Sequence, residues 1–200
     1  VCRFAKVRFV GMPQGSEILV RPKRSRVYRY FAIRALQAAE KITVDSERMK
    51  DEIQRLSGCT ALVIQNGVAA DVIRRIQAEC GEKTRHVVLS NRGFSGSYRI
   101  GHILHARNRS CPDVALTLTY PFKEEFYRLE CLPLLTSQDR EMGRLPTRDD
   151  SYRLLCETLL VVSIPDTDSS PRSVYEAIFC GCCVAVTYHK WIDSLPSSMK

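Results

Sequence analysis

Long apolar runs are missing from this chain: no stretch of 18 or more apolar residues occurs, so hydropathy gives it no membrane-spanning helix. There is no internal repeat and no low-complexity tract, which excludes repeat architectures. A disulfide framework is missing too. The nine cysteines are odd in number and irregular in spacing, and 200 residues are enough to build an apolar core. Most of these cysteines are expected to be small buried residues in a reducing cytosol. Cys180-Gly181-Cys182-Cys183 contains a C-x-x-C pair, but no second ligand pair stands at zinc-site spacing. His102 and His105 are spaced for one helix face, with no acid beside them and no third ligand, and His86 and His189 stand singly. No metal is therefore expected. The opening Val1-Cys2-Arg3-Phe4 has no initiator methionine and none of the charged start, apolar core or cleavage site of a secretory signal. Met199-Lys200 follows soon after an expected strand. The expectation is a piece cut at both ends, from a cytoplasmic protein.

What is present is ordinary for a globular chain: 44% hydrophobic and 26% charged residues, with room for one large or two small domains. The formal net charge is +8, which opens three readings: nucleic acid, an anionic membrane surface or a phosphorylated small substrate. The excess is diffuse except between Arg21 and Arg34. Arg21, Lys23, Arg24, Arg26, Arg29 and Arg34 are interleaved there with Tyr28, Tyr30 and Phe31. Such a mixture binds RNA or lipid headgroups, and it also reads as the solvated face of a helix.

Helical and strand periods alternate along the chain. Ala5 to Val10 reads as a strand, Gly11 to Gly15 as a loop, and Ser25 to Ala39 as an amphipathic helix. Ile42 to Val44 is a short strand. Asp45 or Ser46 caps a helix from Glu47 to Leu56 that Gly58 closes, and Ala61 to Ile64 is a strand. After Asn66 the composition turns polar with little periodicity, so residues 69–85 read as the crossing between domains 1–68 and 86–200. The second domain offers strands at His86 to Ser90, Val114 to Thr119, near Gly143-Arg144-Leu145, at Leu159 to Ile164 and at Cys183 to Thr187. Between them lie helices at Tyr98 to Arg107, Phe122 to Cys131 and Asp149 to Glu157. The alternation predicts α/β units with parallel sheets.

The densest signal is Ser163 to Ala177. An apolar run stops at Pro165, an acidic loop follows, and Ser170-Pro171 opens a helix that ends near Gly181. Asp168 and Glu176 stand eight residues apart across that loop and helix. Ligands of open α/β sheets gather at strand carboxyl ends against helix N-termini, where free N–H groups favour phosphate. Taken alone, Glu176 is also a helix glutamate favoured by the dipole, and Asp-Thr-Asp-Ser-Ser is also plain turn chemistry.

This stretch resembles the donor-site signature of the retaining glycosyltransferases of family 4, which have the GT-B fold. Glu176-Ala177, Gly181 and Val184-Ala185-Val186 match its second half, and Asp168 stands where the family has its first glutamate. Gly15-Ser16-Glu17-Ile18 is similar to the glycine-serine-aspartate loop of the acceptor domain. Ile42 to Ser46 resembles the strand before that domain's last helix, and Ile64 to Val68 the interdomain asparagine-glycine-valine. Leu89-Ser90-Asn91-Arg92 is similar to the first donor-domain strand with its phosphate-binding arginine, and Gly143-Arg144-Leu145 to the strand before the base region.

The resemblance implies two Rossmann-like parallel-sheet domains, both incomplete: the end of an acceptor domain and most of a donor domain. It implies transfer of a sugar, with retention, from a nucleoside-diphosphate sugar (UDP or GDP) to a hydroxyl of a glycan or lipid-linked acceptor. It implies no cofactor, no metal and no nucleic-acid partner. Glu176 is implied to accept from the ribose hydroxyls, which suits a carboxylate, and Asp168 to face the sugar ring. Arg92 is implied to bind the diphosphate. Ser169, Ser170, Arg172 and Ser173 sit where backbone N–H groups hold diphosphate or sugar, and Gly15, Ser16 and Glu17 lie on the acceptor side. The family's lysine five residues after the arginine is Ser97 here; either Arg99 replaces it or the loop is remodelled. The stretch Arg21 to Arg34 then suits peripheral contact with a membrane or an anionic acceptor. As an isolated piece the chain is expected to be inactive. Rival readings are a non-catalytic nucleotide-sugar binder, a sugar-nucleotide epimerase on the same fold, and a basic RNA-binding module.

Overall fold

The computed structural model describes residues 7–81 and 84–197. The chain divides into two compact units. One holds the described residues up to Asn66 together with Asp168–Ser170 and those from His189 on; the other holds Gly67–Thr167 and Pro171–Tyr188.

In the first unit, strands β1 (Val10–Gly11), β2 (Lys41–Val44) and β3 (Leu62–Val63) pair in parallel in that order. Helices α1 (Gly15–Leu19), α2 (Arg21–Arg24), α3 (Arg26–Ala38) and α4 (Glu47–Ser57) accompany them. The helix ends follow from local chemistry. Ser25 and Ser46 accept from the Tyr28 and Met49 amides at 3.2 and 3.4 Å, and Gly58 closes α4 at φ 71°. Ile18, Leu36, Ile42, Val44, Met49 and Ile53 form the core. The expected first strand is displaced to Val10–Gly11, and its Ala5 and Lys6 lie outside the described residues. The expected Gly15-Ser16-Glu17 loop is instead the first turn of α1. The Glu17 carboxylate caps that turn, accepting from the Gln14 amide at 2.9 Å.

The second unit is a five-stranded parallel sheet. Its strands are β4 (Val87–Ser90), β5 (Leu116–Thr119), β6 (Arg140–Gly143), β7 (Thr158–Ser163) and β8 (Cys183–Val186), in the order β6-β5-β4-β7-β8. This is the doubly wound order, with its switch point between β4 and β7. Helices α5 (Ala70–Cys80), α8 (Arg148–Glu157) and α9 (Arg172–Phe179) contribute to the apolar cluster containing Val87, Leu89 and Val161. Helices α6 (Ile100–Ser110) and α7 (Glu125–Cys131) contribute to a second cluster, with Phe94, Leu116 and Leu118. Covered on both faces, β5 is buried throughout, as parallel strands are.

Four expectations change here. Residues 69–85, read as a polar crossing with little periodicity, contain helix α5, whose Ile73 and Ile76 are fully buried with Val72 and Cys80 packed beside them, one apolar face at helical spacing. Helix α6 starts at Ile100 rather than Tyr98, after a 3-10 turn at Gly96–Tyr98 and a left-handed Arg99 (φ 54°). Helix α7 starts at Glu125 rather than Phe122, because Phe122, Lys123 and Glu124 run extended beside Phe94, with bonds of 2.9 and 2.8 Å. Finally, Pro171 rather than Ser170 occupies the N-cap position of α9, with no side-chain cap.

Candidate functional site

Strands β4, β5 and β6 all point their carboxyl ends toward one cavity of about 470 Å³ in the second unit. Its wall runs from Asn91 after β4, through Thr119 and Tyr120 at the end of β5, to Gly143 and Arg144 at the end of β6. Gly143 takes φ 65°, a left-handed conformation suited to glycine, and ends the strand there. Helices α8 and α9 supply the rest of the wall, including Arg148, Ser173 and Glu176.

Thr147 caps α8 by accepting from the Asp150 amide at 3.1 Å, and Asp150 returns the favour to the Thr147 amide at 3.0 Å. This box fixes Arg148 in the first turn and Tyr152 one turn later on the same face. Both reach Glu176: Arg148 Nη2 and the Tyr152 hydroxyl donate to Oε1 at 3.0 Å each, and Arg172 Nε donates to the same oxygen at 3.1 Å. Among the described residues none donates to Oε2. The Glu176 side chain is 14% exposed, whereas Arg148 is half exposed and Tyr152 fully buried. Burial, reinforced by the charge and hydrogen bond of Glu176, pushes the Tyr152 hydroxyl up to about 12. It is therefore a donor at every physiological pH.

The turn after β4 carries Arg92. Its guanidinium lies 4.6 Å from the centre of the Tyr98 ring and donates from Nη1 to Ser173 Oγ at 2.8 Å, at the start of α9. The first α9 bonds to Pro171 O come from Val174 and Tyr175, leaving the N–H groups of Arg172 and Ser173 without an intrahelical partner. A fixed cation and a helix N-terminus thus meet beside the cavity, the arrangement that holds anionic oxygen. Next to Arg92, Gly93 is tightly enclosed: a Cβ there would lie 2.4 Å from the Phe122 ring.

Buried polar atoms mark the switch point as well. Ser90 Oγ and Asn91 Oδ1 at the end of β4, and Ser163 Oγ at the end of β7, have no hydrogen-bond partner among the described residues. Unsatisfied buried groups are costly, and these three lie at strand carboxyl ends, where ligands of open α/β sheets gather. The loops after β4 and β7 are joined by the Asp166 amide to Ser97 O at 2.9 Å and by an ion pair between Arg99 and Asp166.

The structure thus brings Arg92, Ser173, Arg172 and Glu176 together around the start of α9. Arg99 is turned to Asp166. Asp168, Ser169 and Ser170 group with the first unit. There Ser169 Oγ donates to Asp45 Oδ2 at 2.9 Å, and Asn66 donates to Ser170 O at 3.1 Å. In the same unit a Cβ on Gly15 would lie 3.2 Å from Ser169 Oγ, so the Gly15 turn and Ser169 are neighbours. Arg148 and Tyr152 escaped sequence reading. The available signal was the Thr-x-x-Asp capping box at Thr147, which sets both on one face of α8.

Three thiols of the second unit, Cys156, Cys180 and Cys182, are packed into its core. Burial pushes Cys180 up to about 12, and Cys156 and Cys182 up to about 11, so none is a thiolate at neutral pH. In the C-x-x-C pair, Cys180 is buried and Cys183 exposed. Among the described residues no cluster of metal-ligating side chains forms, and no helix is long and apolar enough to cross a membrane.

No family model matches the sequence, and no curated protein does. Solved structures do. HepE of Anabaena, in complex with UDP-glucose, superposes with a TM-score of 0.76 at 19% identity, over 92% of this chain and 54% of that one. WaaG, a glycosyltransferase involved in lipopolysaccharide biosynthesis, gives 0.67 at 15% identity, over 92% and 60%. AviGT4, a glycosyltransferase involved in avilamycin A biosynthesis, gives 0.60 at 19%, over 76% and 46%. These neighbours are GT-B glycosyltransferases, and the α/β, parallel-sheet fold of this chain is theirs. The chain spans about half the length of the solved proteins it matches.

Proposed function

We propose that this chain is part of a retaining glycosyltransferase of family 4, contributing the end of the acceptor domain (1–68), a crossing (69–85) and most of the donor domain (86–200). The observation that carries the reading is that Glu176 and Ser173, at the start of α9, line one cavity at the strand carboxyl ends, with Arg92 bonded to Ser173 beside it. Its volume is that of a small-molecule site, on the order of 300–1,000 Å³. In this reading Glu176 accepts from the donor's ribose hydroxyls. Arg92 and the Arg172 and Ser173 amides hold the diphosphate and stabilise it as it departs, so no metal is needed. Asp168 faces the sugar, with Ser169 and Ser170 beside it, and Gly15, Ser16 and Glu17 lie toward the acceptor.

UDP is the first base to test, since HepE was solved with UDP and with UDP-glucose; GDP is the second. The acceptor is a glycan or lipid-linked sugar. Arg26, Arg29, Tyr30, Phe31 and Arg34 are exposed on α3, a face suited to an anionic acceptor or to peripheral attachment at the cytoplasmic side of a membrane. A second reading, a nucleotide-sugar binder without catalysis, is favoured by Asp168 in the place of a glutamate and Ser97 in the place of the family's lysine.

The test is a titration of UDP, GDP, ADP and their sugars into the chain and into Glu176→Ala. Selective binding of one nucleotide, lost in the variant, supports the donor site. Failure of a folded chain to bind any of them counts against it. Sugar transfer by the parent-length protein, with the anomeric configuration of the product read by NMR, separates transferase from binder and retention from inversion.

A further inference from the structure

We infer that Tyr152 and Arg148 are positioning residues for Glu176, holding Oε1 so that Oε2 is the oxygen that takes the ribose hydroxyls. The inference rests on the donor reading above. An ionised carboxylate has about four lone-pair sites. Three donors converge on Oε1, at 3.0, 3.0 and 3.1 Å, and among the described residues none reaches Oε2. The arrangement is asymmetric, although nothing in a glutamate itself distinguishes its two oxygens.

The donors differ in kind. Arg172 lies one turn before Glu176 on α9, an ordinary exposed i,i+4 pair. Tyr152 and Arg148 reach across from α8. The Tyr152 ring is wholly buried in the core, so its hydroxyl is a fixed point. The Arg148 guanidinium sits 6.0 Å from the centre of that ring, one turn earlier on the helix, and lines the cavity. A buried hydroxyl and a cation resting on its ring define one orientation of Glu176. That orientation is set before any ligand arrives, which lowers the ordering cost of binding.

The probes are UDP and 2′,3′-dideoxy-UDP, with affinities measured by calorimetry for the wild-type chain, Tyr152→Phe, Arg148→Gln and Glu176→Gln. The ratio of the two affinities reads the ribose contact alone. The wild type is expected to prefer UDP. In Tyr152→Phe, which keeps the ring, and in Arg148→Gln, at the half-exposed position, the preference is expected to fall about three- to tenfold while the affinity for dideoxy-UDP stays put. Added to Glu176→Gln, neither substitution is expected to change the ratio further. A wild-type preference that survives both single variants overturns the positioning role, as does an equal loss of both ligands, which would mark a direct phosphate contact or a merely structural part. Absence of UDP binding, or equal wild-type affinity for the two probes, instead overturns the donor reading itself.

Discussion

Asp139 and Arg107 form a buried ion pair whose removal gives a calculable loss. Their side chains are 2% and 4% exposed. The guanidinium binds the carboxylate in bidentate fashion, Nη1 to Oδ1 at 2.7 Å and Nη2 to Oδ2 at 2.5 Å. Asp139 also accepts from the Leu116 and Thr136 amides at 2.7 Å each, and Arg107 donates to Val114 O at 2.8 Å. The pair thus ties α6 to the start of β5 and to the approach to β6. Burial alone would raise the Asp139 carboxyl, but Arg107 and the two amides outweigh it and hold it down to about 2, from an ordinary 3.8. A depressed folded-state value stabilises the fold above the unfolded value, and the contribution is lost as pH falls toward 2. Its full size is about 2 kcal/mol, of which about 1 kcal/mol is gone by pH 3. Asp139→Ala strands a buried guanidinium and is expected to cost about 3–5 kcal/mol at pH 7. The assay is urea unfolding followed by far-UV circular dichroism at pH 7 and pH 3, which reads the helices packed on this sheet. The variant should also lose less stability between the two pH values than the wild type. A variant within about 0.5 kcal/mol of wild type, the size of an ordinary surface change, would refute the reasoning, as would an identical acid loss in both.

Other expectations are quickly stated. Gly93→Ala, which would set a methyl against the Phe122 ring, should cost about 1–3 kcal/mol by overpacking, and Phe122→Leu should restore part of the lost melting temperature. Because the Tyr152 hydroxyl is raised to about 12 in the folded chain, stability should be intact below pH 10 and fall as pH rises toward 12; Tyr152→Phe should blunt that alkaline loss in pH-dependent unfolding. In a timed thiol-labelling experiment, exposed Cys111 and Cys183 should react with the native chain, whereas Cys156, Cys180 and Cys182 should wait for unfolding.

The elements that sequence reading located best are those with local chemistry at their ends. Ser46 and Gly58 bracket α4, and the apolar runs of β4, β5 and β7 stand out because both faces of that sheet are covered. The readings that shifted depend on long-range contacts. The segment from Phe122 to Glu124 has helix-compatible residues but is held extended by hydrogen bonds to Phe94, nearly thirty positions earlier in sequence. Helix α5 is the exception, since Val72, Ile73, Ile76 and Cys80 stand at helical spacing among its charged residues, a local period that the reading as a crossing passed over. Long-range contacts decide the candidate site as well. Arg92 and Glu176 were nameable from pattern and resemblance, but their partners were not. The meeting of Arg92 with Ser173, and of Tyr152 with Glu176, depends on how separate loops and helices assemble around the sheet.

The central claim is that a nucleoside diphosphate occupies the cavity between the strand ends and the starts of α8 and α9. Amide chemical-shift mapping of the ¹⁵N-labelled chain during a UDP titration tests it most directly. The account predicts saturable shifts concentrated at Asn91 to Gly93, Gly143 to Arg148 and Arg172 to Glu176, and their loss in a folded Glu176→Gln variant. Saturable shifts located elsewhere, or no shifts from a chain whose spectrum is that of a folded protein, would contradict it.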